Sequence, residues 1–238
     1  FAEELPETIE EPVIKEEIPL ENEEAAPVED AEHADVEAEE EEANAPVEDE
    51  DAIDVSKEDV PEPVRGDENA IYLDGQAGDN NNDGSTPEKA VKTFGQAKKL
   101  ATDNQNIEKI IVTGTVDISD EITLKGTNAK ILRGKDFNDY VFKVPSNGKA
   151  TLNNITIDGN SENNPNITAS LIYADSGSTL TIEDDAVIRN NQIKAIENEA
   201  TNGGGIRADH ATLNMSGGMV EGNQATYGGG ICLYGSTM

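Results

Sequence analysis

The stretch DNNNDG at residues 79–84 places oxygen-bearing side chains at alternate positions. Asp79, Asn81 and Asp83 have the spacing of the first ligands of a calcium loop, and a glycine for the turn follows. In a complete twelve-residue loop the last position is a bidentate Glu, but here it is Ala90. Two alternatives therefore stay open, a calcium site of lower coordination and a plain turn built from Asx side chains. No other cofactor is predicted.

Two aspartates follow similar short apolar segments, IYAD and IRAD, at Asp175 and Asp209. If these segments are strands stacked on each other, the carboxylates lie one strand apart, close enough for their titrations to be coupled. Paired carboxylates carry out glycoside hydrolysis, and His210 directly follows the second one. The residues predicted for an enzyme are therefore Asp175, Asp209 and His210. The alternative is that both aspartates only end strands at turns.

Tyr173, Arg207 and Tyr234 are the candidates for ligand binding. Strand alternation places the first two in one outward row and Tyr234 in the row of the two aspartates. The chain has no Trp and only 4% aromatic residues, which disfavours a large stacking surface for sugars. Cys232 is the single cysteine, so an internal disulfide and a cysteine zinc cluster are excluded.

Several functional classes are excluded by what the sequence lacks. It contains no phosphate-binding loop, no dinucleotide fingerprint and no serine-hydrolase order of Ser, His and Asp. The formal net charge of −33 argues against nucleic acid as a partner, because the phosphate backbone would be repelled. No run of about 18 apolar residues occurs, so no membrane span is predicted in this chain. Glycans and proteins remain as the expected partners.

The elements that must position these residues follow from a repeat. The tetrapeptide GGGI occurs at residues 203–206 and again at 228–231, 25 residues apart. Aligning the two copies, and the similar SLIYAD segment before them, produces columns of matching residues. These columns are Ile172/Ile206/Ile231, Ala174/Ala208/Leu233, Leu180/Leu213, Ile182/Met215, Val187/Val220 and Asn190/Asn223.

A period near 25 residues with about three short strands per unit predicts a parallel β-helix. Each coil would stack on the previous one and pair every strand with its equivalent. The apolar columns would face the interior, and the Asn column would stack at a turn. The glycines of GGGI would let the backbone enter the next strand without a Cβ clash.

One amphipathic helix is predicted over residues 86–103, ahead of most of the strands. Thr86 is the expected N-cap and Pro87 lies in the first turn. An apolar face runs from Ala90 to Ala101 with helical spacing. A single helix of this kind needs a surface to cover.

The charge of the chain divides it into two segments. Residues 1–68 contain 29 Asp and Glu against 3 Lys and Arg, with seven of the ten prolines and few apolar residues. So little apolar surface cannot offset an ordering cost of roughly 1–2 kcal/mol per residue, and the like charges repel. Residues 1–68 are therefore predicted to be a disordered acidic Pro/Glu-rich spacer. Residues 69–238 are predicted to contain a cap and the first coils of a β-helix, truncated at the C-terminus.

Residues 70–238 resemble the pectate-lyase-like superfamily of right-handed parallel β-helix proteins found on bacterial surfaces. The most specific part is IYLDGQAGDNNNDGSTPEKAVKTFGQAKKLA, which is similar to the entry module of such extracellular domains. The resemblance implies an all-β fold, a right-handed parallel β-helix with an N-terminal capping α-helix. It also implies that the outward face of one sheet carries the saccharide cleft in the enzymes of the superfamily.

The function expected from this sequence is that of an extracellular stalk or adhesin on the cell surface or cell wall of a bacterium. It would bind host or environmental glycans or surface proteins without catalysis. The alternative is a polysaccharide lyase or glycoside hydrolase whose catalytic coils lie largely beyond residue 238. A lyase would be expected to show several basic residues near its calcium ligands, whereas only Arg207 is visible in the sequence.

Overall fold

The computed structural model describes residues 66–195 and 201–238. They belong to one compact unit, Asp59–Met238. The predicted acidic spacer lies outside the described residues except at 66–68. There, the Asp67 carboxylate accepts a hydrogen bond from Lys109 Nζ at 2.6 Å, so folded contacts begin just before the predicted boundary.

Short strands dominate the part of the chain that the structure describes, and one α-helix, α1 (Phe94–Asp103), accompanies them. The strands are β1 (Ala70–Asp74), β2 (Lys109–Gly114), β3 (Val116–Asp117), β4 (Asp120–Ile122), β5 (Lys130–Arg133), β6 (Phe142–Val144), β7 (Lys149–Leu152), β8 (Ile155–Asp158), β9 (Ile172–Ala174), β10 (Thr179–Ile182), β11 (Ala186–Arg189), β12 (Ile206–Asp209), β13 (Thr212–Met215), β14 (Met219–Glu221) and β15 (Ile231–Tyr234). Two 3-10 turns lie at Pro87–Lys89 and Ser161–Asn163.

The strands form three sheets with parallel pairing. Sheet A has the order β1-β2-β5-β8-β11-β14, sheet B has β15-β12-β9-β6-β3, and sheet C has β13-β10-β7-β4. From β3 onward the chain passes through sheets B, C and A in turn and then repeats the cycle one strand further along each sheet. The fold is therefore all-β and solenoid-like, as the repeat predicts.

The register of the strand pairs confirms most of the predicted columns. The interior residues of these columns are buried, and each fully buried Ile or Leu contributes roughly 1.5–3 kcal/mol relative to exposure. The columns found residue for residue are Ile172/Ile206/Ile231, Ala174/Ala208/Leu233, Leu180/Leu213 and Ile182/Met215.

Two predicted columns were wrong by one residue. Val187 lies opposite Met219, and it is Ile188 that pairs with Val220. The reason is a turn before β14 that is one residue shorter than the turn before β11.

The same shift moves the asparagine column. The backbone N–H of Asn191, not that of Asn190, donates to Asn223 Oδ1 at 3.0 Å. Asn190 instead aligns with Gly222, and both residues have left-handed backbones, with φ of 56° and 61°. The predicted stacking of asparagines at a turn is therefore found one position later.

The predicted 25-residue period holds for the last step only. The step from Phe142 to Ile172 is 30 residues, the step to Ile206 is 34, and the step to Ile231 is 25. The variation comes mainly from the connections between sheets A and B, which are 8, 13, 16 and 9 residues long in chain order. The turns from B to C and from C to A stay short throughout.

The α-helix begins later than predicted. α1 spans Phe94–Asp103, and its N-cap is Thr93, whose hydroxyl accepts a hydrogen bond from a first-turn backbone N–H at 3.3 Å. Thr86, the predicted N-cap, precedes a 3-10 turn and makes no capping hydrogen bond through its side chain. Val91 forms a parallel bridge with Leu73 of β1, which requires extended backbone instead of helix. The predicted first half of the helix was therefore wrong.

The apolar face of α1 packs against the core. Phe94, Ala97 and Ala101 are buried there. The ring of Phe94 meets the ring of Phe142 edge to face, with centroids 6.1 Å apart and an interplanar angle of 78°. The helix thus buries its apolar residues against the strands that begin the solenoid.

Candidate functional site: the outward face of sheet B

Sheet B carries a row of outward side chains that contains two of the predicted ligand-binding residues. The register places Lys143, Tyr173, Arg207 and Cys232 opposite one another on β6, β9, β12 and β15. On β6, β9 and β12 the flanking residues are buried, so the row points away from the core, as strand alternation predicts.

Two tyrosines form the centre of this face. The ring of Tyr140, which lies two residues before β6, stacks on the ring of Tyr173 with centroids 4.7 Å apart and an interplanar angle of 16°. Two cations flank the Tyr173 ring: Lys143 Nζ lies 5.8 Å and Arg207 Cζ 5.9 Å from its centroid. These distances are within the range of cation–π attraction.

Each of these cations is paired with one of the predicted aspartates. Lys143 Nζ lies 3.2 Å from Asp175 Oδ2, and Arg207 donates to Asp209 at 2.8–3.2 Å through Nε and one terminal nitrogen. The Tyr173 hydroxyl lies 3.5 Å from Asp175 Oδ1 and 3.3 Å from Asp209 Oδ2. Both distances are long for an O–H···O bond, and the single phenol proton serves one carboxylate at a time.

We call this group of six side chains the sheet-B platform. Its formal charges cancel, because two carboxylates balance two cations. The platform consists of Tyr140, Lys143, Tyr173, Asp175, Arg207 and Asp209.

The electrostatics of the platform oppose ionisation of the phenol and favour ionisation of a carboxyl. Burial, followed by the negative charges of Asp209 and Asp175, raises the pKa of Tyr173 to about 12. A hydrogen bond from the Ser176 backbone N–H and the nearby Lys143 ammonium hold the pKa of Asp175 below its usual value. The platform therefore holds a neutral phenol between charged pairs at neutral pH.

His210 and Tyr234 lie next to the platform but interact with each other. Their rings meet edge to face, with centroids 5.4 Å apart, and the His210 backbone N–H donates to the Tyr234 carbonyl at 2.7 Å. Tyr234 is opposite Asp209 in the register, as predicted. Among the described residues, no hydrogen bond or ion pair joins the His210 side chain to Asp175 or Asp209. The predicted pair of aspartates is thus brought together, and the histidine is turned toward the tyrosine.

Arg133 anchors the two connections that carry the tyrosines into sheet B. It is fully buried at the end of β5. Its guanidinium donates to the carbonyls of Phe137 at 3.0 Å and Asp139, and to those of Ala169 at 3.2 Å and Ser170 at 2.9 Å. Burial lowers its pKa to about 10, which leaves it a cation at neutral pH. One side chain therefore ties two successive coils together directly before each stacked tyrosine.

Sequence reasoning missed Lys143, Arg133 and Tyr140. Lys143 had a usable signal, because YVFKV alternates and Phe142 faces inward, which puts Lys143 one strand before Tyr173. Tyr140 lies in a connection, where no period indicates direction. A buried Arg bonded only to backbone carbonyls leaves no pattern in the sequence.

The predicted calcium ligands lie in a turn made by their own hydrogen bonds. Asp79 Oδ1 accepts from both the backbone and the side-chain nitrogen of Asn81 at 2.9 Å. Asp83 Oδ1 accepts from the Ser85 backbone N–H at 2.9 Å and from its hydroxyl at 2.6 Å, which lowers the pKa of Asp83. These are the contacts of the Asx-turn alternative. Calcium binding at this segment stays a prediction.

Other features of the described residues bear on the class of protein. In residues 66–195 and 201–238, no group of three or more His, Cys, Asp or Glu side chains is placed to hold a metal ion. No helix in the same part of the chain is long and apolar enough to span a membrane. Compared with protein-family models, curated proteins and solved structures, the chain matches none.

Proposed function

We propose that this chain is a non-catalytic binding protein of a bacterial surface, and that the sheet-B platform contacts glycans or proteins of a host or of the environment. One observation carries the proposal: the Tyr140–Tyr173 stack lies among charges that are already neutralised by one another. Aromatic rings supply contact area at low entropic cost, and the surrounding polar groups supply hydrogen bonds. Such a surface suits a polar ligand without strong net charge.

The state of the aspartates supports binding over catalysis. A carboxyl that acts as a general acid near neutral pH needs a raised pKa, whereas that of Asp175 is lowered. Asp209 is bonded to Arg207 through three nitrogen–oxygen contacts. Carboxylates held in this way orient cations and hydroxyls and are poorly prepared to transfer protons.

The proposal includes the finer architecture. The chain would be a right-handed parallel β-helix of the pectate-lyase-like type, with α1 capping its first coil. The parallel three-sheet cycle supports this, as does the burial of Phe94, Ala97 and Ala101 against the first strands. A helix in this place would protect strand edges that otherwise invite pairing with other chains.

The extracellular location is proposed together with an acidic spacer at residues 1–68. The composition of that segment supports a solvated linker, since it combines high negative charge with few apolar residues. A charged linker repels itself and extends, which would hold the β-structure away from a cell wall.

The test is binding to an immobilised panel of polysaccharides and surface proteins. The wild-type chain, Tyr173→Ala and Tyr227→Ala are compared; Tyr227 is the matched control because it is 60% exposed and lies outside the platform. We expect Tyr173→Ala to lose at least tenfold in affinity and Tyr227→Ala to bind like the wild type. Equal binding by Tyr173→Ala would contradict the platform. New reducing ends or unsaturated products that disappear in Asp209→Ala would establish the enzyme instead.

A further inference from the structure

A second concave surface lies on sheet A, away from the sheet-B platform. Two cavities of about 410 and 430 Å³ adjoin there and share Leu132 and Asn160 in their walls. They extend across the outward side chains of β1, β2, β5 and β8. We call them together the sheet-A groove.

One end of the sheet-A groove is apolar. Tyr72, Ile111 and Leu132 lie opposite one another on β1, β2 and β5, and all three are half-buried. Pro87 closes this end from the segment before α1. Three successive strands thus present a continuous apolar strip along the stacking direction, with a phenol at its outer end.

The other end of the groove is polar and preorganised. Asp158 lies opposite Leu132 in the register and is only 6% exposed. Its carboxylate accepts from Arg189 Nε at 3.0 Å, from Asn190 Nδ2 at 3.3 Å and from the Asn160 backbone N–H at 3.0 Å. These bonds fix the floor of the groove and neutralise its buried charge.

Three side chains around this floor have unused hydrogen-bonding capacity. Among the described residues, the side chains of Lys130, Glu162 and Gln192 make no hydrogen bond or ion pair, although all three line the groove. Lys130 offers donors, Glu162 offers acceptors and Gln192 offers both. Their charges cancel, so the polar end favours a neutral ligand whose groups both donate and accept, as hydroxyls do.

An extended peptide is a poorer fit to this face. Peptides that add to sheets pair with the free backbone of an edge strand. In sheet A, β2, β5, β8 and β11 each have a partner strand on both sides, so their backbone groups are already paired. The groove offers side chains only.

We propose that the sheet-A groove is a saccharide-binding site for a short neutral oligosaccharide. The C–H faces of the sugar rings pack on the Tyr72–Ile111–Leu132 strip, and the hydroxyls bond to Lys130, Glu162 and Gln192. The site is independent of the sheet-B platform, because the two lie on different sheets and share no residue.

The test uses a panel of neutral hexasaccharides of glucose, galactose, mannose and xylose, with a galacturonate hexasaccharide for comparison, in calorimetric titrations of the full chain. Lys130→Ala and Glu162→Ala are the groove variants. Lys125→Ala and Glu121→Ala are matched controls, since both residues are exposed and outside the groove. Tyr173→Ala reports on the platform separately.

We expect one neutral hexasaccharide to bind, with each groove variant losing at least fivefold in affinity and the controls and Tyr173→Ala unchanged. The proposal is overturned if no neutral hexasaccharide binds, or if binding survives both groove variants. A preference for the galacturonate hexasaccharide that is lost in Lys135→Ala, at the apolar end, would overturn the neutral ligand class. Loss of binding in Tyr173→Ala alone would assign the sugar to the sheet-B platform.

Discussion

The ring of Tyr140 lies flat on the ring of Tyr173, with centroids 4.7 Å apart, although the two residues belong to successive coils. One ring comes from a connection and the other from a strand, so the stack exists only if the connection is held in place. The bonds from Arg133 to both connections supply that restraint. The exposed binding face and the buried cation are therefore parts of one arrangement.

The first prediction concerns the ionisation of Tyr173. Its folded pKa is about 12 and its model value is 10.0, so the unfolded chain loses this proton first as the pH rises. The contribution of Tyr173 to stability is fully present below pH 10 and is lost as the pH approaches 12. Phenolate absorbance, titrated on the folded protein, should show a late phase that Tyr173→Phe removes. A wild-type titration without that phase would contradict the packing described for Tyr173.

The second prediction concerns Arg133. Arg133→Met fills a similar volume but leaves four carbonyl oxygens without their donor. We expect a loss of about 3 kcal/mol in the free energy of unfolding, because buried acceptors would lose their partners. Denaturant unfolding measures this loss. Near-ultraviolet circular dichroism reports the tyrosine stack, since the chain has no Trp.

Arg133→Lys is the companion variant because it keeps the charge but lacks the planar fork of donors. It should restore part of the stability and little of the tyrosine signal. Unchanged circular dichroism in Arg133→Met would show that the connections hold the stack without the guanidinium.

The third prediction tests the glycine that opens the first GGGI. Gly203 has φ of 68°, and a Cβ there would clash with the carbonyl oxygen of Ile206. Gly203→Ala should therefore lower the free energy of unfolding by about 2 kcal/mol or more. Gly95→Ala is the control, because it lies in α1 with open space around its Cβ position and should gain about 0.5–1 kcal/mol. Equal midpoints for the two variants would refute the argument.

The fourth prediction separates the two alternatives for residues 79–84. Because Asp79 and Asp83 are bonded to their own turn, we expect added calcium to leave the thermal midpoint unchanged. Magnesium at the same concentration is the control for ionic strength. A midpoint that rises with calcium alone, and no longer does so in Asp79→Ala or Asp83→Ala, would establish a metal site.

The sequence predicted the strand positions well, because residues such as Ile206 and Ile231 recur with identical neighbours and period-2 alternation then sets direction. The same logic found Tyr173 and Arg207 on one face. It failed at Val187, because a turn shortened by one residue shifts the register and leaves no mark in the apolar pattern. It failed at Thr86, because apolar spacing alone does not distinguish a helix from a buried bridge such as the one at Val91.

The connections from sheet A to sheet B vary between 8 and 16 residues while the strands on either side keep their register. Loop closure becomes only slowly more costly with length, so this corner tolerates insertions that the short turns of the other two corners would not. It also delivers Tyr140 to the platform. The molecule therefore offers a natural place for grafting: foreign loops inserted at this corner would change what the surface recognises and leave the scaffold intact.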